Sequence, residues 1–397
     1  MVTQERLFTD EWFDDPYGPY QRLREQSPVA RIGTSNSWIL TGFDAVYGAL
    51  RDHSTFSSAG GYQRNNLQSE ERDGSGLRLV LISDDPPRHT RFRGIVNRAF
   101  TPRAVEAMGP TITQLVDRML DDVDGRVRAG EPIEMVETLT VPLPVSVIAM
   151  MLGIPPSERE RFKRWSNALV GGVSGVSGGR SDDLREMFGF FKTVMAEKRS
   201  QPAADLVSAV AQAEFEGERL EDWEVLGFCV LLLVAGNETT TNLIGNLLNI
   251  LVDRPELWQR LREDRSLVEP VIEETLRFDS PVQMLFRRTL QPVELAGTAL
   301  PEGADTLVAF AAANRDPAEF PEPEVFRLDR ELSKHVAFGV GIHYCLGAPL
   351  ARAEARAALN GMLDRYESIS RGEQPAERLR MTQMLRGFRV LPLQLRV

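Results

Sequence analysis

Cysteine and histidine are scarce: the 397 residues hold two Cys, Cys229 and Cys345, and four His. Two thiols are too few for a disulfide scaffold or a thiolate zinc cage, and they suggest a reducing compartment. Positive charge is in deficit, with 46 Lys and Arg against 57 Asp and Glu and a formal net charge of -11. That balance argues against general nucleic-acid or anionic-membrane binding. The apolar run from Val225 to Ala235 is well short of the roughly 20 residues that span a bilayer. Met1 to Asp15 is polar and acidic, without the basic-then-apolar order of a signal peptide, so a soluble, cytoplasmic protein is expected. No internal repeat, low-complexity tract or linker marks a boundary, and residues 1–397 are read as a single domain although the length alone would suggest more.

What is present is a globular composition, 42% hydrophobic and 26% charged. Its patterning predicts a mainly α protein with a smaller β region. A helix is expected over Asp15–Glu25, strands at Val29–Ile32 and Ser37–Thr41, and a helix over Phe43–Arg51. Helical patterns dominate from Pro110 to Lys198, broken by proline at Val141–Pro144 and Gly153–Pro156. A long helix is predicted over Glu221–Asp253, stopped by Pro255, and Ser280–Arg288 reads as a Pro-started apolar strand. Two segments lack periodicity. Ala59–Gly76 is either a wall of a pocket or an ordinary solvated connection, and Gly171–Gly179 is either a hinge over an entrance or a flexible turn.

Four constellations stand out, three with chemistry and one structural. Phe338-Gly339-Val340-Gly341-Ile342-His343-Tyr344-Cys345-Leu346-Gly347 sets one thiol on a glycine-rich loop that runs into an Ala-rich helix, Ala348–Leu363, with Pro349 in its first turn. Gly339, Gly341 and Gly347 can adopt backbone conformations closed to other residues and let a flat ligand approach the main chain. The helix N-terminus is expected to lower the thiol pKa and favour a metal-binding thiolate, the alternative being a buried structural cysteine. In Asp84-Asp85-Pro86-Pro87-Arg88-His89-Thr90-Arg91-Phe92-Arg93, His89 and Arg93 fall one helical turn apart and can hold a carboxylate, or belong to a basic surface helix. Ala235-Gly236-Asn237-Glu238-Thr239-Thr240-Thr241 puts polar and small residues in mid-helix where burial is deepest. Gly236 leaves space there, and a Thr hydroxyl can bond back to its own helix. Glu274 and Arg277, at i and i+3, make an ion pair read as scaffolding.

Taken in order, these motifs resemble those of the cytochrome P-450 monooxygenases, whose haem loop reads Phe-Gly-x-Gly-x-His-x-Cys-x-Gly. The likeness runs from Trp38 to about Pro392 and includes Asp-Pro-Pro-x-His-x-x-x-Arg, Ala/Gly-Gly-x-Asp/Glu-Thr-Thr, Glu-x-x-Arg and the segment Ala312–Pro317. It implies the P-450 fold of the soluble bacterial type, with haem b between the long central helix and the Cys-ligand helix. No Cys-x-x-Cys-His occurs, so the haem is expected to be held non-covalently. The resemblance implies Cys345 as iron ligand and His89, Arg93 and Arg287 (Arg288 being the other candidate) as propionate partners. His343, Phe338, Gly347 and Gly236 are implied as further haem contacts, and Glu238 and Thr239 as the acid and alcohol that deliver protons during oxygen activation.

The implied activity is insertion of one atom of O2 into a small, largely apolar organic substrate. Walls are expected from Leu231, Val234 and Ala235, from Val282, Met284 and Leu285, and from the turn at Met384, Leu385 and Arg386, where Arg386 either meets a substrate carboxylate or lies on the surface. No flavin or iron-sulfur domain is present in these residues, so electrons are expected from a ferredoxin or flavodoxin and its reductase, steered by a basic patch of Arg91, Arg98, Arg352 and Arg356. A monomer is expected, with neither nucleic acid nor membrane as partner. The alternatives are a non-catalytic haem-thiolate gas sensor or carrier, and a relative that uses peroxide or couples substrates oxidatively.

Overall fold

The chain is built around the helix Asp222–Val252, within one residue of the predicted span at each end. Its start is set by a capping box: the backbone N–H of Glu221 donates to the Glu224 carboxylate at 3.0 Å, and the Glu221 side chain accepts from the backbone of Glu224. Apolar residues on almost every face leave no surface to present to water, so the helix is enclosed by Pro142–Met151, Val268–Phe278 and Ala348–Arg365. Among the described helices it is the one with the length and apolarity of a membrane span, and 72% of that apolar window is buried inside the protein.

The computed structural model describes residues 9–59, 80–165 except 159 and 163, and 181–397 except 204, 216, 332, 333 and 381. The expectations for the Ala59–Gly76 and Gly171–Gly179 segments therefore lie, apart from Ala59, outside the described residues. Among the described residues, helices Pro102–Ala129, Pro142–Met151 and Ser181–Ser200 overlap the predicted run from Pro110 to Lys198. Helix Phe43–Arg51 and strand Val29–Ile32 have the predicted bounds.

A five-stranded sheet runs in the order Val29–Ile32, Ser37–Leu40, Asp305–Val308, Leu285–Thr289, Phe56–Ser57. Ser37–Leu40 and Asp305–Val308 pair parallel and the other neighbours antiparallel. The strand expected to begin at Ser280 begins instead at Leu285. Pro281 has no N–H, and the backbone of Gln283 is engaged elsewhere, donating to Met384 O at 2.8 Å and accepting from Ala311 N–H at 3.1 Å. That diversion carries residues 281–285 along the site.

Glu274 and Arg277 form a pair with both side chains at 0% exposure, not the surface pair that i, i+3 spacing alone would suggest. Arg277 donates two N–H groups to the two Glu274 oxygens at 2.7 Å and reaches the carbonyls of Asn314 and Pro323. The Arg327 N–H and the Arg330 guanidinium also approach Glu274. Asn314 in turn accepts from Val336 N–H at 2.7 Å, so this clamp fixes the segment leading into Phe338.

Candidate active site

The loop around Cys345 closes through the Cys345 N–H, which donates to Phe338 O at 2.9 Å. Gly339 and Gly341 have φ of 67° and 75°. A side chain at Gly341 would also lie 2.6 Å from the carbonyl oxygen of Leu50. Gly347 differs from expectation: its φ of -83° is open to any residue, and its contribution is an N–H directed, with that of Ala348, at the sulfur. The low-pKa thiol is also corrected. Burial pushes the Cys345 thiol up, outweighing the Gly347 and Ala348 N–H groups and the charges of Arg93 and Arg352 that favour thiolate. Phe338 lines the cavity above the loop, with the Arg352 guanidinium 4.5 Å from its ring.

At one edge of this cavity four basic side chains converge. His89 is 2% exposed, and among the described residues neither ring nitrogen has a hydrogen-bond partner; its ring lies 4.3 Å from that of His343. Burial lowers the His343 pKa to about 2, reinforced by Arg287, His89 and Arg93, and the His343 Nε2 lies 3.0 Å from Ser58 Oγ. Burial likewise lowers Arg287 to about 10 and Arg93 below its ordinary range. Arg287 donates to the adjacent Phe286 carbonyl at 2.7 Å, whereas Arg288, alternating to the opposite face of the strand, pairs with Asp305 at 3.4 Å. Arg287 and not Arg288 therefore lines the cavity. Desolvated cations and orphaned imidazole nitrogens are costly unless an anion meets them. The propionates of a haem held by Cys345 would be such anions, and this donor set fits them.

The opposite wall is the central helix, which contributes Leu231, Val234, Ala235, Gly236, Thr239 and Thr240. The Thr239 hydroxyl donates to Ala235 O, four residues back, at 2.7 Å. Gly236 has a second reason to lack a side chain, because a Cβ would fall 2.7 Å from Ile148 Cδ1 on the neighbouring helix. Glu238 is partly buried beside this wall and does not line it; loss of hydration pushes its carboxyl up to about 7. Val282, Leu285, Met384 and Leu385 complete the apolar enclosure.

Met284 is a correction. It is 1% exposed and packs away from the cavity in the cluster of Trp12, Tyr20 and Ile39, because alternate residues of an extended segment point to opposite sides. Arg386 neither reaches the cavity nor lies on the surface: it is buried and donates to Asp279 Oδ1 at 2.6 Å. Sequence reasoning missed Leu81, Ile82, Ile148, Phe228 and Thr382 as lining residues. Ile148 and Phe228 sit in uniformly apolar helices where periodicity gives no direction, and Leu81 and Ile82 lie in a turn with no pattern. The basic patch is weaker than its arginine count suggests. Arg352 pairs with Glu273 at 2.6 Å and Arg356 with Glu269 at 2.5 Å, while Arg98 is exposed.

Comparison with known proteins agrees with this geometry. The family model for cytochrome P450 matches residues 179–393. Cytochrome P450 107B1 of Saccharopolyspora erythraea is 37% identical over 98% of this chain and 96% of its own length. The cytochrome P450 monooxygenase PikC of Streptomyces venezuelae is 37% identical over 96% of this chain and 91% of its own. The structure of CYP109Q5 from Chondromyces apiculatus superposes with a TM-score of 0.89 at 36% identity, covering 100% of this chain and 98% of that one. A relative matched over nearly its whole length is thus named a monooxygenase, which does not favour a gas carrier. A mainly helical fold with a smaller sheet part, a thiol loop facing the central helix and full-length likeness to these enzymes place the chain in the cytochrome P450 family, as a bacterial-type haem monooxygenase of small organic substrates.

Proposed function

We propose that this monooxygenase hydroxylates, or otherwise oxidises, a small and largely apolar molecule held against the central helix, working as a cytoplasmic monomer with a separate ferredoxin or flavodoxin and its reductase. The observation that carries the substrate class is the wall made by Leu231, Val234, Val282, Leu285 and Leu385; the charged residues lining the cavity among those described, Arg93 and Arg287, are gathered at the edge near His343. An aliphatic surface of this kind rewards burial of apolar area and offers no compensation to a charge. Screening compounds for displacement of ferric water, read as a spin-state change in the haem absorbance, tests it. Neutral apolar compounds should shift the spectrum, and a set in which only ionic compounds did so would refute the class.

Bound haem with a thiolate ligand supplies oxygen activation and transfer of one oxygen atom to the substrate. The remaining work falls to the chain. Cys345 would provide the thiolate, while His89, Arg93, Arg287 and His343 would hold the carboxylate edge and Phe338, Gly236 and Gly347 would contact the ring. Thr239 and Glu238 move protons: the Thr239 hydroxyl, bonded to Ala235 O, holds a polar position on an apolar wall, and Glu238 retains its proton to near neutrality. Thr239→Ala is expected to keep consuming oxygen while product per O2 falls about tenfold or more, peroxide making up the difference. Unchanged coupling would remove Thr239 from this role.

The pH dependence follows from Glu238. Because burial raises its folded pKa to about 7 above an ordinary value near 4.5, the protonated acid is complete below the lower value and is lost as pH rises through the upper one. Product per O2 should therefore decline above about pH 7 in the parent, and the decline should vanish in Glu238→Gln, whose coupling is low at every pH. A parent profile flat from pH 6 to 8.5 would contradict this assignment.

Exposed Arg98 and the Arg352 and Arg356 pairs on the cysteine side favour an acidic electron-transfer partner over a neutral one, although Glu273 and Glu269 offset part of that field.

A further inference from the structure

The turn at residues 382–386 is held unusually firmly for a segment that faces a substrate cavity. Val282 and Leu385 form an isolated β-bridge, Gln283 N–H donates to Met384 O at 2.8 Å, and Arg386 N–H donates to Pro281 O at 2.8 Å. Beneath it the Arg386 guanidinium is bound to Asp279 at 2.6 Å and to the carbonyls of Phe13 and Asp14 at 3.1 Å. Arg378 takes the other Asp279 oxygen at 3.2 Å, and Asn246, on the central helix, donates to the carbonyls of both Asp279 and Arg386. Both arginines near this wall are thus consumed by an internal carboxylate and leave no cation for a substrate anion.

One polar side chain of the turn lines the cavity, at its border with a smaller cleft bounded by Gln383 and Arg386. Thr382 lines the cavity together with Met384 and Leu385. Its Oγ1 accepts from the Met384 N–H at 3.2 Å, and among the described residues nothing takes the hydroxyl proton. The other polar lining groups are committed by position: Arg93, Arg287 and His343 at the propionate edge, and Thr239 and Thr240 on the central helix. A hydroxyl that already accepts from the backbone on a fixed turn is set to donate into an otherwise aliphatic wall.

We propose that Thr382 donates a hydrogen bond to an uncharged acceptor on the substrate, so that the enzyme selects neutral apolar molecules carrying a carbonyl, ether or hydroxyl oxygen away from the carbon that is oxidised. The proposal rests on the reading of this cavity as the site of an apolar substrate and adds to it the polar group and the residue that receives it. Thr382 acts through orientation: one fixed hydrogen bond in an apolar pocket costs the analogue lacking that oxygen its place and leaves the hydroxyl unpaired.

The test uses the haem-loaded enzyme and a matched pair of probes, 2-decalone and trans-decalin, with decanoic acid as the anionic comparison. Dissociation constants come from spin-state titration and, independently of the spin change, from calorimetry. The parent is expected to bind the ketone about fivefold more tightly than the hydrocarbon, the ratio given by one neutral hydrogen bond, and to bind decanoic acid more weakly than the ketone. Thr382→Val should bring the ratio to about one without changing hydrocarbon affinity, and Thr382→Ser should restore it. A parent without ketone preference, a Thr382→Val variant that keeps it or loses both probes equally, or a preference for decanoic acid overturns the proposal. If the reduced parent lacks the thiolate-haem band with carbon monoxide, the underlying functional reading fails as well; a normal band with an unchanged probe ratio sinks the Thr382 assignment alone.

Discussion

Cys345→Ala is expected to lose the long-wavelength absorbance of the reduced, carbon monoxide-treated protein, and turnover should fall by roughly 100-fold or more. Groups that only orient a ligand cost about 10–100-fold when removed, and the ligand itself should cost more. No neighbour can replace this sulfur. The other cysteine, Cys229, is buried within the central helix, where burial raises its thiol to about 12. His343, two residues away, has its ring beside that of His89 and its Nε2 at 3.0 Å from Ser58 Oγ at the cavity edge. Cys229→Ala serves as the control and should keep the band. The loop itself should survive in Cys345→Ala, since its closure runs through the Cys345 backbone N–H to Phe338 O and through Gly339 and Gly341, none of which needs the side chain. An unaltered band in the Cys345 variant would refute the assigned ligand, and with it the roles given to the residues around it.

Arg277→Ala should be the most damaging change away from the cavity, at about 3–5 kcal/mol, the usual consequence of breaking a buried ion pair from one side. Glu274 would keep its burial and lose both short N–H donors, leaving the Arg330 guanidinium at 3.3 Å and the Arg327 N–H at 3.1 Å. Carbonyls of Asn314 and Pro323 would lose their donor as well. Domains are stable by only about 5–15 kcal/mol, so a large share would be gone. Because the same clamp fixes the chain entering the cysteine loop, haem retention should drop together with the denaturant midpoint. Arg277→Lys should rescue little, since an ammonium cannot make the paired N–H contacts of the guanidinium. The double variant Glu274→Gln with Arg277→Met should be more stable than Arg277→Ala, because it removes the stranded charge. Equilibrium unfolding by guanidinium decides the matter: an Arg277→Ala loss below about 1 kcal/mol would show the pair to be a dispensable contact.

Much of this architecture is legible before any coordinates. The central helix is marked by its uninterrupted apolar run, by Glu221 and Glu224 at its start and by Pro255 beyond its end, and its observed bounds are within one residue of expectation. The glycines of the cysteine loop signal conformational freedom, and Gly339 and Gly341 do have positive φ. Errors arose where a local rule met a tertiary neighbour. Gly347 has an ordinary backbone. The Cys345 thiol responds to burial more than to the helix terminus. Met284 turns into a separate core cluster, and Arg386, expected to meet a substrate carboxylate or the solvent, is drawn inward by an Asp279 that is 107 residues away.

By itself the sequence determined which residues can perform the chemistry and in what order they occur: one thiol on a glycine-rich loop, an acid and an alcohol in the middle of an apolar helix, basic groups one turn apart. Those properties reside in short spacings and in side-chain type, which a linear pattern expresses completely. Only the tertiary structure decided which of them face one another and what charge they carry there. Arg287 over Arg288, the exclusion of Met284, the consumption of Arg378 and Arg386 by Asp279, and the upward shift of Glu238 all depend on desolvation and on partners far away in the chain. Burial strengthens each such interaction and penalises each unpaired group, and burial is a property of the packed whole.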